Sequence, residues 1–585
     1  MTTASVRWWG LVLLILVVLG GATAVYLGRP PARVQTDAPE ETEPAAGGPL
    51  FEEVAGRAGV EFTYRNGEEA DRYTILESVG GGIALLDYDG DGLLDLYIPG
   101  GGGFAGTETP RVVGLRGRLY RNLGGWKFQD VTEAVLPAGE PFYSHGAAVG
   151  DFDGDGWPDL LVTGYGRMVL YRNEGGRRLV DVTAAVGLRE EQWTTSAAWV
   201  DLTGKGRPDL YVCRYLDWSF ANDPRCGSKG DPKVRDVCEP ARFKALPHAL
   251  FRFQGGKYVD VSQEMGLRRD GMGLGVVAAD VDDDGKPDVY VANDAGHNFL
   301  YRNRGKGPLE EVGLLAGVAG DDLGRYNGSM GVDAGDYDGS GRASLWVTNY
   351  QGEYHALYRN LGKGQFDYQT RASGLAALGQ QNVGFGTGFI DLENDGWLDL
   401  ILVNGHVLRH PVSAQFRQRA VLLRNEARSG RRFFANISRQ GGPYFEEATL
   451  GRGLAIGDLD NDGWPDVVVS HCNRPVAMLR NTAPRSARWL GIQLRGKQHR
   501  CTVGARVTVE VGGRTLTRFR TGGGSYLSAS DSRLLFGLGS ETTLGPVHVH
   551  WPWGQTERFE GLKAGQYWEL IEGIEKAQPM GAIRP

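Results

Sequence analysis

The chain has 585 residues and a formal net charge of −8, with 63 Lys and Arg against 71 Asp and Glu. Gly reaches 89 residues, yet a hydrophobic share of 41% is ordinary for a folded protein and excludes a largely disordered chain. No basic run with interleaved aromatics occurs, which excludes nucleic acid as an expected partner.

Residues 1–7 hold one cation, Arg7, and read as a cytoplasmic n-region. Residues 8–28 are uncharged, mostly apolar and long enough to cross a bilayer. The apolar run continues through Val25-Tyr-Leu27 and exceeds a usual signal h-region, so a membrane anchor is expected. The alternative is a signal peptide cleaved after Ala24, in Ala22-Thr-Ala24. Either way the remainder is expected to be extracytoplasmic, membrane-anchored in the first case and secreted in the second. Residues 29–49, rich in Pro, Ala and Glu, read as a flexible tether.

From residue 50 to 485 one unit repeats seven times. Its mark is an acidic loop whose first aspartates are Asp87, Asp151, Asp201, Asp280, Asp336, Asp391 and Asp458. Small residues precede the loop, as in His145-Gly-Ala-Ala-Val-Gly and Gly273-Leu-Gly-Val-Val-Ala-Ala. An apolar strand follows, then a Leu-Tyr-Arg-Asn strand ending at Asn122, Asn173, Asn303 or Asn360, with weaker forms at Asn425 and Asn481. A fourth strand closes each unit, as in Phe128-Gln-Asp-Val-Thr. Four short strands per unit in seven units predict a seven-bladed β-propeller. A solenoid would want capping repeats, and none is visible. The last unit lacks a fourth strand, and Phe51-Glu-Glu-Val-Ala resembles it. Residues near 51–55 are therefore expected to complete the seventh blade and close the ring.

The loops carry the chemistry. Carboxylates at positions 1, 3, 5 and 9 converge when Gly at position 6 allows a sharp turn, and they repel one another without a cation. An EF-hand would need a bidentate Glu at position 12 and flanking helices. Ile98 and Val162 stand at that position, and strands follow, so the EF-hand is excluded. Oxygen-only ligands favour calcium. Five loops keep all four acids, with the residue at position 7 expected to add its carbonyl: Asp87, Asp89, Asp91, Leu93 and Asp95; Asp151, Asp153, Asp155, Trp157 and Asp159; Asp280, Asp282, Asp284, Lys286 and Asp288; Asp391, Glu393, Asp395, Trp397 and Asp399; Asp458, Asp460, Asp462, Trp464 and Asp466. Turn chemistry rewards Asp and Gly but does not demand acids at all four positions. About five calcium ions are expected. The third loop has Thr203 and Lys205 between Asp201 and Asp209, and Lys205 is expected to replace the cation by bridging the two acids. The fifth, with Asp336, Asp338, Ser340 and Ser344, is expected to bind weakly or not at all.

These units resemble FG-GAP/VCBS repeats, the type found in integrin alpha-chain propellers. Residues 486–575 resemble the ASPIC/UnbV domain through Val503-Gly-Ala-Arg-Val-Thr-Val, Gly524-Ser-Tyr-Leu-Ser, Phe536-Gly-Leu-Gly and Val549-His-Trp-Pro-Trp-Gly, and residues 576–585 form a tail. The combination is similar to the cartilage acidic protein-like family. It implies an all-β chain: a seven-bladed propeller with integrin-alpha-like calcium loops, then a small β-rich domain. One departure is visible. His499-Arg-Cys501-Thr-Val-Gly-Ala stands where the family has Asn-Arg-Asp-Gly-Ile-Gly-Ala. Alternation in Ala505-Arg-Val-Thr-Val-Glu-Val independently favours strands in this region.

Cys226 and Cys238 lie in the longest insertion, between the third and fourth loops, and can staple it; cysteines in family insertions support that disulfide. Cys472 and Cys501 flank the junction, where pairing would lock the two parts together and leave Cys213 free, but spacing does not establish connectivity.

No His-Glu-x-x-His, Gly-x-Ser-x-Gly or P-loop pattern occurs, so no catalytic residue is assigned and the chain is not expected to be an enzyme. Gly522-Gly-Gly-Ser525 reads as a Gly-rich turn. The expected function is a calcium-stabilised cell-surface binding or adhesion module for a protein or glycan. The alternative is an extracytoplasmic enzyme or accessory subunit with a site near the propeller axis or the junction with the C-terminal domain.

Overall fold

The computed structural model of the protein describes residues 48–497 and 500–580. Seven antiparallel sheets, each taking four strands from residues 51–481, build this part of the chain, and one of them gains Gly522–Gly523 as a fifth strand. The first strands of these sheets are Ala84–Leu86, Ser144–Gly150, Thr194–Val200, Gly273–Ala279, Ser329–Gly335, Gly384–Ile390 and Gly451–Gly457. Each packs against the first strand of the next sheet, and Gly451–Gly457 meets Ala84–Leu86. The series is a closed β-propeller. Small residues are required where the inner strands crowd. A Cβ on Gly331 would stand 2.1 Å from the carbonyl oxygen of Phe385 in the next sheet, closer than any contact allows.

The last sheet is completed from the other end of the array. Phe51–Glu53 pairs antiparallel with Arg474–Asn481, placing Phe51 opposite Asn481 and Glu53 opposite Leu479. This covers an edge that would otherwise expose a row of unpaired backbone groups.

Neighbouring sheets are also tied by the Asn that ends the third strand. Asn173 Nδ2 donates to Pro158 O of its own loop (3.2 Å) and to Tyr88 O of the preceding loop (2.8 Å). Asn425 does the same with Leu398 O and Tyr337 O, both at 2.8 Å. Asn122, Asn303, Asn360 and Asn481 repeat the clamp. The third sheet has Phe253 there, which has no amide to donate. Asn173→Ala leaves two carbonyls without their donor and should cost about 2 kcal/mol. The measurement is the urea midpoint; an unchanged midpoint would show that the clamp adds nothing.

Beyond the propeller, two further four-stranded sheets share one core of Leu490, Ile492, Val507, Val509, Phe536 and Val547. Arg488–Arg495 runs parallel to Tyr567–Ile571 in one of them. Between Arg514–Phe519 and Leu534–Gly539 the chain leaves this sandwich and enters the propeller axis. Gly522–Gly523 pairs with Gly273–Ala279. Leu527 O accepts from Ala147 N (3.0 Å), Ser525 O from Val332 N (3.0 Å) and Ala529 O from Leu85 N (2.9 Å). The hydroxyls of Ser525 and Ser530 accept from Thr387 N and Ile456 N, both at 3.1 Å, and Leu527 N donates to Ser196 Oγ at 3.0 Å. The segment thus bonds to the inner strands of all seven sheets. Inner strands are sheet edges, so their axial N–H groups need outside acceptors, and this segment supplies them.

One expectation is corrected here. Among the described residues no helix is long and apolar enough to cross a membrane, and residues 8–28, expected as the anchor, lie outside them. The membrane-anchored assignment is withdrawn. Cys226 and Cys238 form the disulfide, but Cys472 and Cys501 are not bonded to each other. Cys472 sits in the last propeller sheet beside Tyr64, whereas Cys501 packs near Ala198 and Leu202 of the third.

Candidate metal centres

Each acidic loop joins the first strand of a sheet to the second, and its ninth residue opens that second strand. In the first loop the Asp95 carboxylate accepts from Tyr88 N (2.9 Å) and Asn122 N (2.8 Å). Asp87 accepts from Gly90 N (2.8 Å) and Gly92 N (2.9 Å). Arg121, next to the clamp Asn, reaches Asp89 with Nε at 2.5 Å. Backbone and third strand therefore aim positions 1, 3 and 9 at one point. The fifth position turns elsewhere, its carboxylate accepting from the N–H of the seventh residue: Asp91 from Leu93, Asp155 from Trp157, Asp284 from Lys286 and Asp462 from Trp464.

Among the described residues, four loops bring ligand atoms of positions 1, 3 and 9 within 4.8 Å of one another: Asp87, Asp89 and Asp95; Asp151, Asp153 and Asp159; Asp280, Asp282 and Asp288; Asp458, Asp460 and Asp466. Burial first, then mutual repulsion, raises these acids. Asp87 and Asp280 are pushed up to about 6, Asp458 to about 7 and Asp159 to about 8. Crowded buried carboxylates of this kind are relieved by a hard cation with oxygen ligands.

The other three loops depart in different ways. In the sixth, the buried Arg518 guanidinium comes from the C-terminal sandwich and lies 2.9 Å from Asp391 Oδ2. Glu393, one methylene longer than Asp, pairs with Arg424 at 2.9 Å. Asp395 holds the N–H of Trp397, and Asp399 keeps its usual place between Leu392 N and Asn425 N. In the fifth, Ser344 Oγ takes over the ninth position's backbone role by accepting from Asn360 N at 3.1 Å. Asp336 accepts from Ser340 N and Gly341 N, and Asp338 pairs with Arg359 at 2.5 Å.

The third loop corrects the role expected of Lys205. Lys205 is exposed, and its backbone N–H points to Thr203 Oγ1. The compensating cation is Arg252, which reaches Asp209 Oδ1 with Nε (3.1 Å) and Asp209 Oδ2 with Nη2 (3.2 Å). Arg252 is the counterpart of Arg121, and with Thr203 at position 3 it turns to the ninth residue instead. Arg252→Ala strands a buried carboxylate and should cost about 3–5 kcal/mol, while Lys205→Ala should stay within about 0.5 kcal/mol. Equal destabilisation of the two variants in a denaturant titration would refute this division of labour.

The sandwich docks on the loop end of the propeller. Tyr567 Oη donates to Asp458 Oδ2 (2.8 Å), Arg533 Nη2 to Asp458 O (2.9 Å) and Trp553 Nε1 to Asp201 O (2.8 Å). None of these partners was signalled by the loop motif.

Family models match the chain twice over. FG-GAP-like repeats match residues 87–162, 151–212 and 280–347, and the ASPIC and UnbV model matches residues 495–577. The chain thus carries FG-GAP-like repeats and an ASPIC and UnbV region. It is related to cartilage acidic protein 1 of Mus musculus, 25% identical over 521 residues covering 81% of this chain and 70% of that one. The Homo sapiens protein of the same name is 25% identical over 511 residues, covering 81% and 69%. Among solved structures, a lectin from Burkholderia pseudomallei is similar with a TM-score of 0.39 and 11% identity, covering 69% of this chain and 97% of that one. The region that matches the ASPIC and UnbV model supplies the axial segment as well as Arg518, Arg533 and Tyr567.

Proposed function

We propose that the protein is a calcium-stabilised binding module in which a propeller (residues 50–485) and a sandwich (486–575) form one scaffold for a protein or glycan partner. Calcium would be held by Asp87, Asp89 and Asp95 and by the matching acids of the second, fourth and seventh loops, and would supply charge neutralisation and rigidity. The observation that carries a binding role is the filled axis. Residues 521–531 occupy the channel where an axial catalytic site would need room, bonding to every inner strand. Two buried histidines, His248 and His355, are likewise engaged in the scaffold. His248 lies 2.8 Å from Tyr211 Oη and accepts from Gly273 N, and His355 accepts from Asn349 N. Burial lowers His248 to about 3 and His355 to about 4, so both are neutral near pH 7. The Cys226–Cys238 disulfide suits an oxidising compartment.

The test is a glycan array and a pull-down with immobilised protein, each run in calcium and in EGTA. Partner capture that needs calcium and proceeds without chemical change of the partner is expected. Turnover of a captured glycan or peptide would overturn the binding-module assignment.

A further inference from the structure

The four loops that gather acids are unevenly placed around the ring. Closure sets the seventh loop beside the first, so loops seven, one and two are consecutive neighbours. The fourth loop stands apart from them. It lies between the third, whose cation is Arg252, and the fifth, which has Ser344 in place of the ninth acid.

The ligands of the three consecutive loops are tied to one another. Asn122 N donates at 2.8 Å to Asp95, the ninth acid of the first loop. Its side-chain amide donates at 2.8 Å to Leu459 O, between Asp458 and Asp460 of the seventh. Trp126 Nε1 donates to Asp460 Oδ2 (2.6 Å), and Asn461 Nδ2 to Gly92 O (2.9 Å). The pattern repeats toward the second loop. Asn173 N donates to Asp159 while its amide holds Tyr88 O, between Asp87 and Asp89, both at 2.8 Å. The Trp157 indole covers Gly90, where a Cβ would stand 2.9 Å from Cζ3. The run stops at the second loop, because the third sheet has Phe253 where the amide would be. Around the fourth loop the amides lead to other partners. Asn303 reaches Leu202 O of the third loop, and Asn360, which holds Val281 O of the fourth, has its own N–H on the Ser344 hydroxyl instead of an acid.

Ordering positions 1, 3 and 9 of one loop in the run therefore fixes the residue that orders the next loop's ligands. A second ion meets ligands that have already lost their freedom, which is positive coupling. The seventh and first loops also come from opposite ends of the repeat array, so their contacts reinforce the closure made by Phe51–Glu53.

We propose that loops seven, one and two bind calcium cooperatively and lock the closure of the ring, while the fourth loop binds it independently. This coupling rests on the calcium assignment above and adds to it how the sites act together.

Calorimetric titration of the stripped full-length chain with calcium is the direct measurement, with Asp87→Asn and Asp280→Asn in parallel. The wild type should bind the run with a Hill coefficient of about 2 and the fourth loop in a separate, non-cooperative phase. Asp280→Asn should lose one ion and keep the other affinities within about twofold, whereas Asp87→Asn should lose one ion and weaken the rest of the run roughly fivefold or more. Asn461→Gly spares every acid and takes its φ of 56° without strain, so it should bind as many ions as the wild type with a lower Hill coefficient. Hydrogen exchange at Val54 N, which donates to Met478 O beside the closing strand, should slow in step with the cooperative phase. If calcium bound but Asp87→Asn and Asp280→Asn each subtracted one ion and left the others alike, the coupling would be overturned and the calcium assignment would stand. Absence of any calcium binding would overturn the assignment itself, and the coupling with it.

Discussion

Chelating calcium with EGTA should lower the melting temperature of the protein by roughly 10 °C, and restoring calcium should reverse the loss. Four loops gather acids at positions 1, 3 and 9. A site saturated at a hundredfold its Kd stabilises the folded state by about 2.7 kcal/mol, so four together rival the net stability of an ordinary domain. Titration of stripped protein should find these four ions rather than five, because Arg518 already compensates Asp391 in the sixth loop. Arg518→Gln should then admit a fifth. The pH dependence has a definite sign. Burial, reinforced by neighbouring acids, raises Asp87 and Asp280 to about 6, Asp458 to about 7 and Asp159 to about 8. Acids raised in the fold bind protons more readily there than in the unfolded chain. Their contribution to the metal-free protein is present in acid and lost as pH rises through these values. Calcium requires the deprotonated acids, so the gap between calcium and EGTA melts should widen from about pH 5 to about pH 8. A melt indifferent to EGTA across that range would sink the structural role of the metal.

What was legible from residue order was local. The acids of a loop lie within nine positions of one another, and their spacing alone implies a common point. The small inner strands and the missing fourth strand of the last unit were equally readable, since both follow from crowding and edge closure. Roles that depend on distant residues were not. The Leu-Tyr-Arg-Asn strand was visible as a strand, but not as the element that delivers a guanidinium to position 3 and an amide to the preceding sheet. For that reason Lys205, adjacent in sequence, was expected to do what Arg252 does from the third strand. Arg518 on Asp391 is harder still, as the two residues belong to different parts of the chain. The pairing of Cys472 and Cys501 was open for the same reason: flanking a junction in sequence says nothing about which sheet each thiol faces.

Tyr526→Ala should be among the most damaging single substitutions in the chain, costing about 3–5 kcal/mol. Tyr526 is fully buried in the axial segment, edge-on to Phe385 at 4.9 Å between ring centroids. The segment looked like a Gly-rich turn, and its composition has a different cause. Glycines and serines are small enough to enter a ring of inner strands, and serine hydroxyls accept from strand N–H groups that have no partner within their own sheets. Truncating the one large aromatic leaves a cavity on the axis and loosens the anchor that holds the sandwich to the propeller. The wild type should therefore unfold in one calorimetric transition, and Tyr526→Ala in two, with the sandwich melting apart from the blades. Tyr526→Phe separates packing from hydrogen bonding. Its hydroxyl lies 3.4 Å from Gly80 N, a long contact, so removing it should cost about 1 kcal/mol or less and keep the single transition. If Tyr526→Ala melted within a degree or so of the wild type as one unit, the seven-sheet bonding of the segment would be incidental to stability. If Tyr526→Phe fell as far as the alanine variant, the hydroxyl rather than the ring would hold the axis together.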